Sequence, residues 1–146
     1  MNIHIRPAQL SDVEGIFTVR TSVAENHLSR EEMREMGITE NTVSNMIKEG
    51  SCAWVAVDGC KVIGFSMIIL DEGSLFAAFV LPEYESRGVG RSLVELAEQE
   101  LFKHHEVAWL ETDKTSRAAE FYRQLGWVEK ENVSESDIRL EKLRCV

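Results

Sequence analysis

Cysteine is scarce in this chain of 146 residues: Cys52, Cys60 and Cys145 leave one thiol over in any pairing scheme. None stands in a Cys-x-x-Cys or Cys/His spacing, so a disulfide framework and a zinc site are both excluded and reduced thiols are expected. Long apolar runs are also lacking. No stretch approaches the roughly 20 residues that span a bilayer, and the opening MNIHIRPAQ has no apolar signal core, which predicts a cytoplasmic protein without a membrane partner. Basic charge is in short supply, with 16 Lys and Arg against 25 Asp and Glu and a net charge of −9. Neutralising phosphates takes clustered cations, and their absence argues against nucleic acid. Acidity suits a cationic partner such as an amine, although it is common among soluble proteins. Proline occurs twice, as Pro7 and Pro82, each closing an apolar stretch. Repeats, low-complexity tracts and linkers are missing as well.

What is present is ordinary for a globule, 44% hydrophobic and 28% charged. A chain of this length buries about two-thirds of its unfolded surface as one domain over residues 1–146. Ile3 and Ile5 alternate with His4 and Arg6 as a half-buried strand ended by Pro7. Ser11 and Glu14 have capping-box spacing and predict a helix to about Ala24. Residues 25–38, with Glu31, Glu32 and Glu35 close together, predict a solvated charged face, as a short helix or a loop. Thr39 caps a helix through Val43, Met46 and Ile47, ended by Gly50. Two β-rich runs, Cys52 to Val57 and Lys61 to Leu70, flank the turn Asp58-Gly59, and a third runs from Leu75 to Val80, so an antiparallel meander is expected. A strand over Glu106 to Leu110, a helix over Thr112 to Leu125 stopped by Gly126, and a strand pair at Trp127 to Lys130 and Ser136 to Leu143 complete the order.

The most informative stretch follows Pro82. Gly88 and Gly90 open a helix whose apolar positions Val89, Leu93, Leu96, Ala97 and Leu101 recur at spacings of three and four, while Glu95, Glu98 and Gln99 point elsewhere. A helix start carries unpaired N–H groups and partial positive charge, and glycine leaves those amides uncovered, so the loop suits a phosphate. Arg87 and Arg91 flank it and Ser92 lies in the first turn. On its own the string is equally a simple turn beside solvated arginines. It is neither a P-loop, lacking the Lys-Ser/Thr pair, nor a dinucleotide fingerprint, because Leu93 stands where a third glycine belongs.

Glu85-Ser86-Arg87-Gly88-Val89-Gly90 resembles the acyl-CoA pyrophosphate motif of the GNAT superfamily of N-acyltransferases, Gln/Arg-x-x-Gly-x-Gly/Ala, with Glu85 replacing the first residue. Glu111 to Trp127 is similar to a second GNAT segment, Asn-x-x-Ala-x-x-Phe-Tyr-x-x-x-Gly-Phe: Ala118, Phe121, Tyr122 and Gly126 match, while Thr115 stands for Asn and Trp127 for the last Phe. Together they cover residues 75 to 130 in detail.

The resemblance implies an α/β (α+β) fold: a mixed, mostly antiparallel six- to seven-stranded sheet with helices on both faces and a V-shaped splay between the fourth and fifth core strands. It implies an N-acetyltransferase that passes an acetyl group from the cosubstrate acetyl-CoA, without a metal, to a small-molecule or peptide amine. Pyrophosphate would lie on amides from Arg87 to Ser92, through Gly88, Val89, Gly90 and Arg91. Lys114 or Arg117 would meet the 3′-phosphate, and the Thr115 place would face the pantetheine arm. Backbone near Phe79 and Val80 would bind that arm, and an N–H near Phe79 an oxyanion. Tyr122 would be the general acid for the thiolate; helical spacing by itself would make Phe121-Tyr122 core aromatics. The base stays open among Glu72, Glu111, His27 and ordered water, since the strand Leu75 to Val80 has no carboxylate. His104 and His105, at the helix end, suit its dipole. The family also allows a homodimer, and the other class of function these residues fit is a CoA-binding sensor or interaction module without catalysis.

Overall fold

The computed structural model describes residues 2–23 and 28–145. Seven strands form one sheet: β1 Ile3–Pro7, β2 Ala53–Asp58, β3 Lys61–Ile69, β4 Ser74–Val80, β5 Val107–Asp113, β6 Val128–Asn132 and β7 Asp137–Leu143. Their spatial order is β1-β2-β3-β4-β5-β7-β6. Every neighbouring pair is antiparallel except β4 and β5, which are parallel and joined by a helical crossover. The helices are α1 Val13–Ser22, α2 Arg30–Glu35, α3 Glu40–Glu49, α4 Val89–His104 and α5 Arg117–Gln124. This is the expected mixed, mostly antiparallel sheet.

Successive strand residues point to opposite faces, and β3 uses both. Ser66 donates to the Leu93 carbonyl of α4 at 3.0 Å, whereas Phe65 stacks with Phe79 at 5.9 Å under α1. Helices therefore cover the two faces separately. The core between them contains Val55, Ile63 and Ile68 of the meander, Leu93, Val94, Ala97 and Leu101 of α4, and Ala108, Ile138 and Leu140 of β5 and β7, all without solvent exposure.

Local chemistry explains most element ends and corrects several expectations. Ser11 does not cap α1. Asp12 accepts the Gln9 N–H at 2.7 Å and pairs with Arg6 at 2.8 Å, so a 3-10 turn, Leu10–Asp12, precedes the helix. Burial pushes the Asp12 carboxyl up in pKa, but the hydrogen bonds from Arg6 and Gln9 outweigh it and hold it below its ordinary value. Of the two forms expected for the charged stretch the structure has the short helix, α2, opened by a reciprocal capping box between Ser29 and Glu32, with Glu31, Glu32 and Glu35 exposed. Residues 24–27, with Ala24 and His27 among them, lie outside the described residues. A further correction concerns β5, which runs on to Asp113 because its ladder with β7 continues to the pair Asp113↔Asp137. Hence α5 does not begin at Thr112 but at Arg117, where the Ser116 hydroxyl accepts the Ala119 N–H at 3.1 Å. Another, at Glu98, lies beside the site.

Candidate active site

The site begins where the sheet comes apart. β4 and β5 share a single ladder position, Ser74↔Trp109, with the Trp109 N–H donating to Gly73 O at 3.1 Å. Beyond it the strands diverge, and both edges keep backbone groups that a ladder would otherwise use. On β4 the alternation can be followed: Leu81 N–H donates to Ile63 O at 2.8 Å, so the antiparallel pattern turns Phe79 toward its partner Phe65 and the backbone of Ala78 and Val80 toward the splay. The expected Val80 backbone thus faces the opening. Phe79 contributes its ring instead, its N–H being directed at β3. A bulge at Phe76, between the pairs Met67↔Ala77 and Ile68↔Leu75, re-aims the strand beside the opening.

Val80 leads directly to the glycine loop. A 3-10 turn, Pro82–Tyr84, is anchored by the Tyr84 hydroxyl donating to Asp58 at 2.7 Å, and the Arg87 guanidinium lies 5.9 Å from the Tyr84 ring. Ser86 and Gly88 both take positive φ, 64° and 80°. Gly88 is the N-cap of α4, makes no side-chain capping bond, and is followed by a first turn without an acidic residue. The amides of Val89, Gly90 and Arg91 come before the first intrahelical donor, Ser92, whose N–H goes to Gly88 O at 3.1 Å. Ser92 therefore offers its hydroxyl rather than its amide. A side chain at Gly90 would be tolerated inside the fold, since its Cβ would stand at ordinary contact, 3.6 Å, from Phe121 Cζ. Packing does not demand this glycine, and what it leaves open is the approach to the amides. Arg91 pairs with Glu95 at 3.0 Å, and Arg117, 79% exposed at its side chain, pairs with Glu85 at 3.1 Å. Glu85 thus stands opposite the very arginine expected near the 3′-phosphate; such an exposed pair is weak and opens readily. The Lys114 N–H bonds Ser136 O at 2.9 Å.

Across the splay, Asp113 accepts both the N–H (2.9 Å) and the hydroxyl (2.8 Å) of Thr115. Those bonds lower the Asp113 pKa and shape the entry to α5. Tyr122 is only 7% exposed. Its ring packs edge-on against Phe121 at 5.4 Å and Trp127 at 5.9 Å, and its hydroxyl has no hydrogen bond among the described residues. Burial first, then the negative charge of Glu98, push its pKa well above that of a free phenol, so it stays protonated. Glu98 is the missed residue. It does not face solvent but is 8% exposed, accepting the Trp127 indole N–H at 3.0 Å and the Lys142 ammonium at 2.7 Å, while Lys142 also reaches Leu125 O at 2.8 Å. An indole in place of phenylalanine brings a buried N–H that needs an acceptor, which was the signal that Glu98 turns inward.

On the α1 face a cavity of about 560 Å³ opens between α1, the stretch from Met33 to Val43, and the β3–β4–β5 surface. Of the four acidic residues in its wall, Glu72 and Glu111 are two of the candidates among which the sequence leaves the base open, and Asp113 and Asp137 join them. Arg20 and Phe79 also line it; Tyr122 does not. Among the described residues no group of three or more His, Cys, Asp and Glu is placed to hold a metal ion, and no helix is long and apolar enough to cross a membrane.

The sequence profile described as an acetyltransferase (GNAT) domain matches residues 49–129, more than half of the chain. No curated protein matches significantly. Among solved structures, the PaiA N-acetyltransferase from Thermoplasma acidophilum in complex with coenzyme A superposes with a TM-score of 0.78 at 21% identity, covering 99% of this chain and 100% of that one. The NatC complex bound to Gag peptide and CoA gives 0.77 at 16% identity, covering 99% and 100%. A ribosomal-protein-alanine N-acetyltransferase from Brucella melitensis gives 0.74 at 18%, covering 97% and 99%. At such identities the likeness is one of fold.

Proposed function

The chain belongs to the acetyltransferase (GNAT) family, and from that premise we propose that it moves an acetyl group from acetyl-CoA to a primary amine, which attacks the thioester directly while both substrates are bound. One observation carries this reading: α4 starts without a side-chain cap, on glycines that packing does not require, at the end of a strand whose outer edge meets β5 only at Ser74. The free amides of Val89, Gly90 and Arg91 and the local dipole suit a pyrophosphate, with Arg87 and Arg91 adding charge and Arg117 released from Glu85 to meet the 3′-phosphate. The amide-bearing pantetheine arm adds to the β4 edge at Ala78 and Val80 as an extra strand would. Acetyl-CoA supplies the activated acyl group; the chain's part is to orient it, stabilise charge and move protons.

An N–H on the open edge of β4 is positioned to donate to the thioester oxygen as negative charge develops on it. The departing sulfur needs a proton, and Tyr122 is a neutral phenol whose hydroxyl has no competing partner among the described residues, which suits a general acid. The amine must shed a proton before it attacks. Glu72 and Glu111 border the cavity through which it would enter, and with Asp113 and Asp137 they make the wall attractive to an ammonium.

Calorimetry with acetyl-CoA tests the binding half, and absence of heat at millimolar ligand would end the proposal. Thiol release with a panel of amines tests transfer: a sensor would bind CoA and release none. Tyr122→Phe is expected to lower kcat on the order of 10²- to 10⁴-fold with CoA affinity nearly intact. Unchanged turnover would remove Tyr122 from its role.

A further inference from the structure

Arg20 is at odds with its surroundings. It lies on α1 with its guanidinium 4.2 Å from the centre of the Phe79 ring, in the wall of the cavity. Its Nη1 is buried and, among the described residues, Arg20 has neither a hydrogen-bond partner for that atom nor an ion pair. An arginine presents five N–H donors and keeps its charge under all ordinary conditions. Stacking on a phenyl ring satisfies none of those donors, and a buried donor without a partner costs free energy. Burial correspondingly depresses the guanidinium's pKa. A purely structural arginine on a helix facing solvent could turn its head outward; this one is held over the ring, at the cavity.

The CoA phosphates are not the natural occupant. The glycine loop leads into α4, which covers the Ser66 face of the sheet, while Arg20 covers the Phe65–Phe79 face. What enters from the α1 side is the acceptor, and the same cavity carries Glu72, Glu111, Asp113 and Asp137. One cation set against several carboxylates matches a molecule bearing both an ammonium and an anionic group. A cavity of about 560 Å³ is of a size that holds a small metabolite.

We propose that Arg20 receives a carboxylate of the acceptor, so that the preferred substrates are amino acids or similar amines bearing a free carboxylate. This deepens the acetyl-transfer reading and rests on it for the identity of the ligand as acceptor. Planar guanidinium and carboxylate form two parallel hydrogen bonds, and seating the carboxylate there fixes the distance of the amine from the acyl group. Arg20 is thus a binding residue that sets specificity.

The test offers matched pairs of amines, each free α- or ω-amino acid beside its carboxamide, with acetyl-CoA, and reads acetylated product by mass spectrometry. The carboxylate member should be favoured by on the order of ten- to a hundredfold in kcat/KM, the range of one charge-assisted pair. Arg20→Gln should abolish that preference through KM, Arg20→Lys should keep part of it, and acetyl-CoA affinity by calorimetry should stay the same in both. Equal use of both members by the unaltered protein overturns the proposal and leaves acetyl transfer standing. If no amine is acetylated, calorimetry of the amino acids against the CoA-loaded protein decides. Binding that Arg20→Gln removes supports the carboxylate site while the transfer reading falls, and no Arg20-dependent binding overturns the site too. A preference for succinyl-CoA over acetyl-CoA that depends on Arg20, with no acceptor preference, would move the carboxylate to the acyl donor and overturn the assignment.

Discussion

Glu98 shows how one substitution along a chain commits others. With Trp127 between α5 and β6, the interior gains an N–H, and the carboxylate that accepts it, 29 residues earlier, needs a cation in turn, which Lys142 supplies. Losing one member of a buried pair strands the other. Glu98→Gln should cost about 1 to 3 kcal/mol in urea unfolding, because Lys142, only partly buried and still held by Leu125 O, loses its anion, whereas Trp127→Phe, which keeps that ion pair, should cost less. The pattern around α4 put Glu98 on the outer face because glutamate at such a position is usually solvated. Neither Trp127 nor Lys142 is local to it, and no periodicity announces a contact across 29 or 44 residues. Arg20 escaped notice for the same reason: as a helix residue among polar neighbours it carries no sign of the ring and cavity above which it sits. The places of Gly88 and Gly90 at a helix start and of Tyr122 on α5 were legible, because such positions follow from a turn signal and a spacing that sequence displays directly.

Among the elements, those with strong periodicity or sharp punctuation were legible: the hairpin at Asp58-Gly59, the long α4, and the Thr39 cap. The boundary between β5 and α5 was not, since Thr112 to Ser116 fits a helix start as well as a strand end, and the choice is made by pairing with β7, which comes later in the chain. The first turn of α4 carries the sharpest prediction at this scale. Gly90→Ala introduces a methyl group at ordinary contact distance from Phe121 and Val80, and alanine favours a helix over glycine by about 0.5 to 1 kcal/mol. Thermal stability should therefore hold or rise while acetyl-CoA affinity by calorimetry falls at least several-fold. Gly88→Ala differs, because its φ of 80° is strained for any residue with a Cβ, and it should lose about 1 to 2 kcal/mol as well.

For the whole molecule, composition and element order led to the sheet, but not to its strand sequence. The insertion of β7 between β5 and β6 depends on long-range pairing, and a closing hairpin could have been added in either order. Since one core runs from the meander through α4 to β5 and β7, we expect the chain to unfold in one cooperative transition by fluorescence and by circular dichroism alike. Acetyl-CoA at a hundredfold excess over its Kd should add about 2.7 kcal/mol to that stability, and Gly90→Ala should need proportionately more ligand for the same gain.

The single rung joining β4 to β5 makes the sheet two leaves of a half-open book, bound at Ser74 and Trp109. Exposed strand margins invite pairing with other chains and hence aggregation. Here the unpaired margins sit within a wedge, which narrows toward its spine and has covered leaves on either side. Of the sheet's open margins these two alone face each other, the others being the outer edges of β1 and β6, so a thin amide-bearing tether would find a pairing edge on either side of the gap by which the fold would admit its thioester.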